Sequence, residues 1–214
     1  MILFFLLSCS TVQRSNTPHG EQCIVHDHLY RCWNSHVPSD VPENPPLVID
    51  MHYWTGDAED QRQLSGFEAL SDSEGFIVVW PYGLNLSWNS GPACCEPSSM
   101  DGTDDVGFIR ELVAEIAQQY PIDLNRVYVT GLSNGCSMSQ RLANEASDLV
   151  AAAACMAMNL VVPPAENYTP VSVMNLMGTA DDLYSESEDG FPGSISNLNT
   201  WKMMNNCIVG NGET

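Results

Sequence analysis

The chain has 214 residues, 27 acidic against 7 basic side chains for a formal charge of -20, and 44% hydrophobic residues. That apolar fraction excludes a disordered chain, because it is enough to bury a core, and the acidity argues against nucleic acid or an anionic membrane as partner. The length suits one domain.

Met1-Ile2-Leu3-Phe4-Phe5-Leu6-Leu7 is an apolar run too short to span a bilayer and reads as the hydrophobic part of an export signal. Leu6-Leu7-Ser8-Cys9 resembles a bacterial lipobox, which makes Cys9 a candidate lipid anchor and residues 1–9 a signal segment. Residues 10–22, polar with Pro and Gly, read as a tether, and 23–214 as the folded domain. Its first strand is expected from Leu29 to Val37. Leu47-Val48-Ile49-Asp50-Met51-His52, bounded by prolines, reads as a buried parallel strand.

Helical periodicity follows from Glu59 to Leu70, and Gly75 to Trp80 repeats the buried-strand pattern. Gly83 to Gly102 is a long loop rich in Gly, Ser, Asn, Pro and Cys. Asp104-Asp105 opens an amphipathic helix with Phe108, Ile109, Leu112, Val113 and Ile116 on one face. Arg126 to Thr130 is the next strand and Asn134 to Ala146 the next helix. They are followed by an apolar run over Leu149 to Met158, a strand over Val171 to Met177, and a periodic piece over Ser194 to Asn206. Strands alternating with helices imply an α/β fold with a mainly parallel sheet and helices on both faces.

Cysteine usage agrees with export. Cys23 and Cys32 are close enough to staple a local hairpin, whereas adjacent Cys94 and Cys95 are expected to reach different partners. No metal is expected: there is no C-x-x-C repeat, and Asp101, Asp104 and Asp105 fail the EF-hand spacing and read as helix capping.

Gly131-Leu132-Ser133-Asn134-Gly135 fits G-x-S-x-G, directly after a predicted strand and directly before a predicted helix. A sharp turn there needs small neighbours so that the Ser133 hydroxyl projects outward, and the helix N-terminus stabilises negative charge forming on an attacked carbonyl. Gly178-Thr179-Ala180-Asp181-Asp182 ends a later strand, which places Asp181 after the serine, as an acid that orients a histidine. Met51-His52-Tyr53 ends the early strand, where an oxyanion N–H is expected. Tyr53 is that candidate donor and Asn134 its partner, with His52 fixing the loop. Trp54 and Trp88 are candidate substrate-binding aromatics.

These motifs, with Ser87-Trp88-Asn89, Cys94-Cys95 and Asp104-Asp105-Val106-Gly107-Phe108-Ile109, resemble the secreted esterase family of polyhydroxybutyrate depolymerases, feruloyl esterases and acetylxylan esterases. The resemblance runs from about Leu29 onward. It implies an α/β-hydrolase fold and cofactor-free serine esterase chemistry, with Ser133 as nucleophile and Asp181 as acid. Its substrate would be a neutral ester, polymeric or polysaccharide-linked, met outside the cell or at the envelope.

The sequence departs from the family at three places. Tyr53 stands where the family has Gly, so its ring must find room. Cys136 follows the elbow and is a candidate partner for Cys94 or Cys95. No histidine follows Asp181, since all five lie at or before His52. The expectation is a domain truncated at its C-terminus and nearly inactive as written. The rivals are a non-catalytic, lipid-anchored binding protein on the same fold, a serine peptidase with the same elbow, and a base displaced to His26, His28 or His36.

Overall fold

The computed structural model describes residues 13–14, 21–185 and 191–207. The signal segment with Cys9 lies outside these. One sheet organises them. Its strands are β1 (Gln13–Arg14), β2 (Gln22–His26), β3 (Leu29–His36), β4 (Leu47–Met51), β5 (Ile77–Pro81), β6 (Val127–Gly131), β7 (Ala152–Met156) and β8 (Ser172–Leu176). The order across the sheet is β1-β2-β3-β5-β4-β6-β7-β8. Strands β1, β2, β3 and β5 pair antiparallel, and the run β5-β4-β6-β7-β8 is parallel.

Alternation along the strands sorts side chains onto two faces. Leu47, Ile49, Met51, Ile77, Val79, Val127 and Val129 enter the larger core. There they meet Phe108, Ile109, Leu112 and Ile116 of α4 (Asp105–Gln119), Met138 and Leu142 of α5 (Asn134–Glu145), and Trp201 of α6 (Ser194–Met204). On the other face Val48, Val78 and Trp80 meet Ala58 of α1 (Ala58–Ser65) and Phe67 of α2 (Phe67–Glu74). Helices therefore cover both faces, as the βα alternation predicts. Among the described residues no helix is long and apolar enough to cross a membrane.

The single helix expected over 59–70 is two. Asp57 starts α1 with a reciprocal capping box to Asp60, and Gly66, at φ 63°, ends it before α2 begins. Apolar periodicity carried across the break because Gly66 changes the backbone's direction without adding a side chain. The long loop also holds a short helix, α3 (Ser98–Asp101). Part of the expected tether is sheet, because Gln13 and Arg14 pair with Cys23 and Gln22.

The disulfides divide against expectation. Cys23–Cys32 joins β2 to β3 as predicted, where the two residues are cross-strand partners. Cys94 and Cys95 join each other rather than separate partners, and Cys136 joins Cys155 rather than either of them. Parallel pairing explains the last: β7 lies beside β6, so Cys155 comes up beside the first turn of α5. Cys207 is free and exposed.

One ion pair ties the antiparallel wing to the parallel core. Arg31 on β3 and Asp105 of α4 are both about 1% exposed and hydrogen-bonded to each other, and the guanidinium lies 4.0 Å from the centre of the Phe108 ring. Asp105 also accepts the Asn89 N–H at 2.7 Å. Replacing Arg31 by Met strands a buried carboxylate and is expected to cost about 3–5 kcal/mol in urea denaturation. The double variant Arg31→Met/Asp105→Leu should recover part of that loss.

Candidate active site

The turn from β6 into α5 is dictated by how near another strand passes. A side chain on Gly131 would come within 2.5 Å of the Met51 carbonyl, and one on Gly135 would overlap the same carbonyl and reach 2.6 Å from that of His52. Only glycine at both positions lets the turn sit against the end of β4. Ser133, between them, is held at φ 52°, ψ -117°, a conformation unfavourable for any residue with a side chain. Its N–H donates to the Met156 carbonyl on β7 at 2.8 Å. The residue is only partly exposed.

Asn134 locks the turn from the other side. Its side-chain carbonyl accepts the Trp88 N–H at 2.7 Å, while its amide nitrogen donates to the Trp88 carbonyl at 3.0 Å and to Ser90 Oγ at 3.1 Å. This clasp is not among the sequence expectations, which concern the backbone N–H of Asn134. The signal was there in the Ser87-Trp88-Asn89 motif, which needs an acceptor and donor pair to hold an extended loop. As the first residue of α5, Asn134 has no intrahelical acceptor for its own N–H.

The loop after β4 is fixed by His52, as expected. Its Nδ1 donates to the Tyr53 carbonyl at 2.8 Å and its Nε2 accepts the Gly83 N–H at 2.9 Å, a pairing that requires the neutral ring. Burial holds the His52 pKa below the ordinary histidine value. Both nitrogens are engaged, so His52 is not available as a base. Tyr53 finds its room over Gly56, where a side chain would come within 2.7–2.9 Å of the phenol ring. Among the described residues neither the Tyr53 nor the Asn134 N–H donates to a protein acceptor.

Asp181 lies beyond the end of β8 and caps a short turn over Asp182–Tyr184, its Oδ1 accepting the Leu183 N–H at 2.9 Å. Because β6, β7 and β8 are parallel, the strands that lead to Ser133 and Asp181 end on the same side of the sheet, two strand spacings apart, or about 10 Å. No described imidazole hydrogen-bonds the Ser133 hydroxyl. His26 and His36 face Asp104 and Asp72 instead.

The two tryptophans part company. Trp54 is half exposed, its Nε1 pinned to the Glu96 carbonyl at 2.8 Å. Trp88 is wholly buried, donates Nε1 to the His52 carbonyl at 3.1 Å and packs against the His52 ring, so it is core and not a ligand contact. Beneath the loop, Asp50 at 1% exposure accepts Gln61 Nε2 at 2.7 Å and Trp80 Nε1 at 3.0 Å, fastening α1 and β5 to β4.

The sheet and the serine turn define an α/β-hydrolase. A family model described as esterase PHB depolymerase matches residues 36–185, and the chain belongs to that family. It is 36% identical over 126 residues to poly(3-hydroxyalkanoate) depolymerase C of Paucimonas lemoignei, covering 57% of this chain and 30% of that protein. It is 29% identical over 181 residues to feruloyl esterase B of Piromyces equi, covering 76% and 33%. The acetyl xylan esterase structure from Aspergillus awamori superposes with a TM-score of 0.51 at 24% identity, over 68% of this chain and 51% of that one, a likeness of fold. The chain spans 22 to 45% of the length of the first curated relatives it matches.

Two outcomes follow. Ser133→Gly and Ser133→Ala both remove the hydroxyl, but only glycine relieves the backbone, so the Gly variant is expected to be the more stable by about 1 kcal/mol in chemical denaturation. Burial raises the Asp50 pKa to about 6, against the opposing effect of its hydrogen bonds. Below about pH 3 Asp50 is protonated in both folded and unfolded states. As pH climbs from about 3 through 7 the unfolded chain ionises it first and the folded chain only later. Stability should therefore fall by about 3 kcal/mol across that window from this group, and Asp50→Asn should flatten that part of the profile.

Proposed function

We propose that the chain forms the core of a serine carboxylic-ester hydrolase that works through an acyl-enzyme on Ser133. The observation that carries the reading is the conformation of Ser133, strained at the head of α5 between two glycines that no other residue can replace. In this reading Ser133 Oγ attacks the ester carbonyl and gives its proton to an imidazole, which Asp181 holds in the correct tautomer. The Asn134 and Tyr53 N–H groups receive the oxyanion, each worth about 10² or more in rate. Water then releases the acyl group. No cofactor enters these steps.

The gap between the ends of β6 and β8 is of the order that an imidazole with a hydrogen bond on either side can cross. All five histidines precede Tyr53, and none follows Asp181 in the 214 residues. Turnover by these residues alone should thus lie several orders of magnitude below that of a form in which a histidine occupies the gap.

The substrate is proposed to be a neutral ester, polymeric or attached to polysaccharide. The -20 charge repels anionic substrates, and half-exposed Trp54 beside the oxyanion loop offers a flat face to a ring or a polyester chain. The names of the relatives, depolymerase and feruloyl and acetylxylan esterase, support that class. Export, with Cys9 as a lipid anchor, is part of the proposal.

A fluorophosphonate probe tests the nucleophile. A form of the protein carrying a histidine beyond Asp181 should be labelled at Ser133 and should hydrolyse at least one of hydroxybutyrate oligomers, ferulate esters and acetylated xylan. Ser133→Ala should lose both properties, and Asp181→Asn should lower kcat by about 10⁴ with the fold intact. Unlabelled serine in such a form, or cleavage of peptides in place of all three esters, would overturn the reading.

A further inference from the structure

His26 closes the β2–β3 hairpin, whose two-residue turn is Asp27-His28, and α4 brings two carboxylates against it. His26 Nδ1 lies 3.2 Å from Glu111 Oε2. On the other side of the ring, Nε2 lies 3.1 Å from Asp104 Oδ2 and 3.9 Å from Asp27 Oδ2. His26 is 8% exposed, while the Asp27 and Asp104 carboxylates open onto a cavity of about 480 Å³ that Arg31, Asp101 and Thr103 help to line. A neutral imidazole has one N–H. Nε2 shares a hydrogen bond with Asp104 Oδ2, and an ion held there would take the place of the shared proton, with the ring N–H turned to Glu111.

The spacing suits a metal ion. Nε2 lies 3.1 Å from the Asp104 oxygen and 3.9 Å from the Asp27 oxygen, and all three atoms lie within 4.8 Å of one another, so that small side-chain shifts bring them around one ion. Glu111 then takes the part of the outer carboxylate that fixes the tautomer of a ligating histidine. Asp104 can serve because only its Oδ1 is engaged by the cap of α4, through the Gly107 N–H at 2.9 Å. Gly107 itself makes the approach possible: a side chain there would overlap Asp104 Oδ2 and come within 2.9 Å of His26 Cε1. Arg31 lines the same cavity at 1% exposure and keeps a buried Nε–H without an acceptor. The second cluster of potential ligands, Glu21 with Cys23 and Cys32, is ruled out because its sulfurs are joined in a disulfide.

We propose that His26, Asp27 and Asp104 bind a divalent cation of the zinc class, with Glu111 as orienting partner, and that the ion clasps the hairpin to the start of α4. Imidazole among the ligands favours such an ion over calcium or magnesium, which prefer oxygen alone. The site is separate from Ser133 and independent of the esterase reading. The proposal departs from the expectation of no metal, which rests on EF-hand and cysteine spacing and does not weigh a histidine far away in sequence.

The test is calorimetric titration of Zn²⁺ into the chelator-treated protein. The expected result is one ion per chain, a raised Tm, and no competition from equimolar Ca²⁺ or Mg²⁺. His26→Asn should abolish specific binding, Glu111→Gln should weaken it about 10- to 100-fold, and Co²⁺ should give a visible absorption band that His26→Asn removes. Asp27→Asn and Asp104→Asn keep the turn and the helix cap, and their circular dichroism should match the parent while their Zn²⁺ affinity falls. Absence of binding, or binding unchanged in His26→Asn and Asp104→Asn, would overturn the proposal: in the first case a proton holds the cluster together, in the second the ions adhere to the acidic surface.

Discussion

The approach of the β4 backbone to the serine turn is the constraint on which the site depends. The carbonyls of Met51 and His52 press against Gly131 and Gly135 with no space for a side chain. That contact sets where α5 begins, holds Ser133 in its strained conformation, and brings the His52 carbonyl, next to Tyr53, against the first turn of α5. Three other ties hold the turn under this strain: the Asn134 clasp on Trp88, the Ser133 N–H bond to Met156, and the Cys136–Cys155 link between α5 and β7. A strained residue persists when its surroundings over-determine it, and these contacts do so from three sides.

The buried polar groups extend the frame outward. Asp105 accepts from Arg31 and from the Asn89 N–H, and Asn89 donates to the Thr103 carbonyl. The loop that meets Asn134 is thereby anchored to α4, and α4 to the hairpin. On the opposite face Asp50 binds Gln61 and Trp80, and so holds the strand from which the Tyr53 loop departs. The removal of any one of these polar groups leaves partners buried without hydrogen bonds, which costs more than the bond itself contributes.

Much of this was legible in the sequence, for physical reasons. Buried parallel strands announce themselves as short apolar runs, and Leu47 to Met51, Ile77 to Pro81 and Val127 to Gly131 lie where those runs place them. The serine turn was readable because its glycines answer to a steric demand. What escaped notice depends on contacts distant in sequence. Trp88 has the composition of a ligand-binding aromatic, and only the folded loop reveals that His52 and Asn134 surround it. Cysteine spacing located the Cys23–Cys32 staple, where partners are nine residues apart, but not Cys136–Cys155, which relies on strand order. The Gly66 break was hidden because apolar periodicity passed through it.

Strand β8 has a further consequence. Among the described residues it is the outermost parallel strand, and Met156, Met174 and Leu176 on the last two strands are about half exposed. An open edge with apolar neighbours is a template for pairing with another chain. Mutual repulsion between molecules of charge -20 opposes such pairing, and salt screens that repulsion with a Debye length of about 8 Å at physiological ionic strength. For a molecule of these residues, the acidity that turns away anionic substrates thus also acts as a colloidal safeguard for such an edge, strongest in dilute electrolyte and weaker as ionic strength climbs.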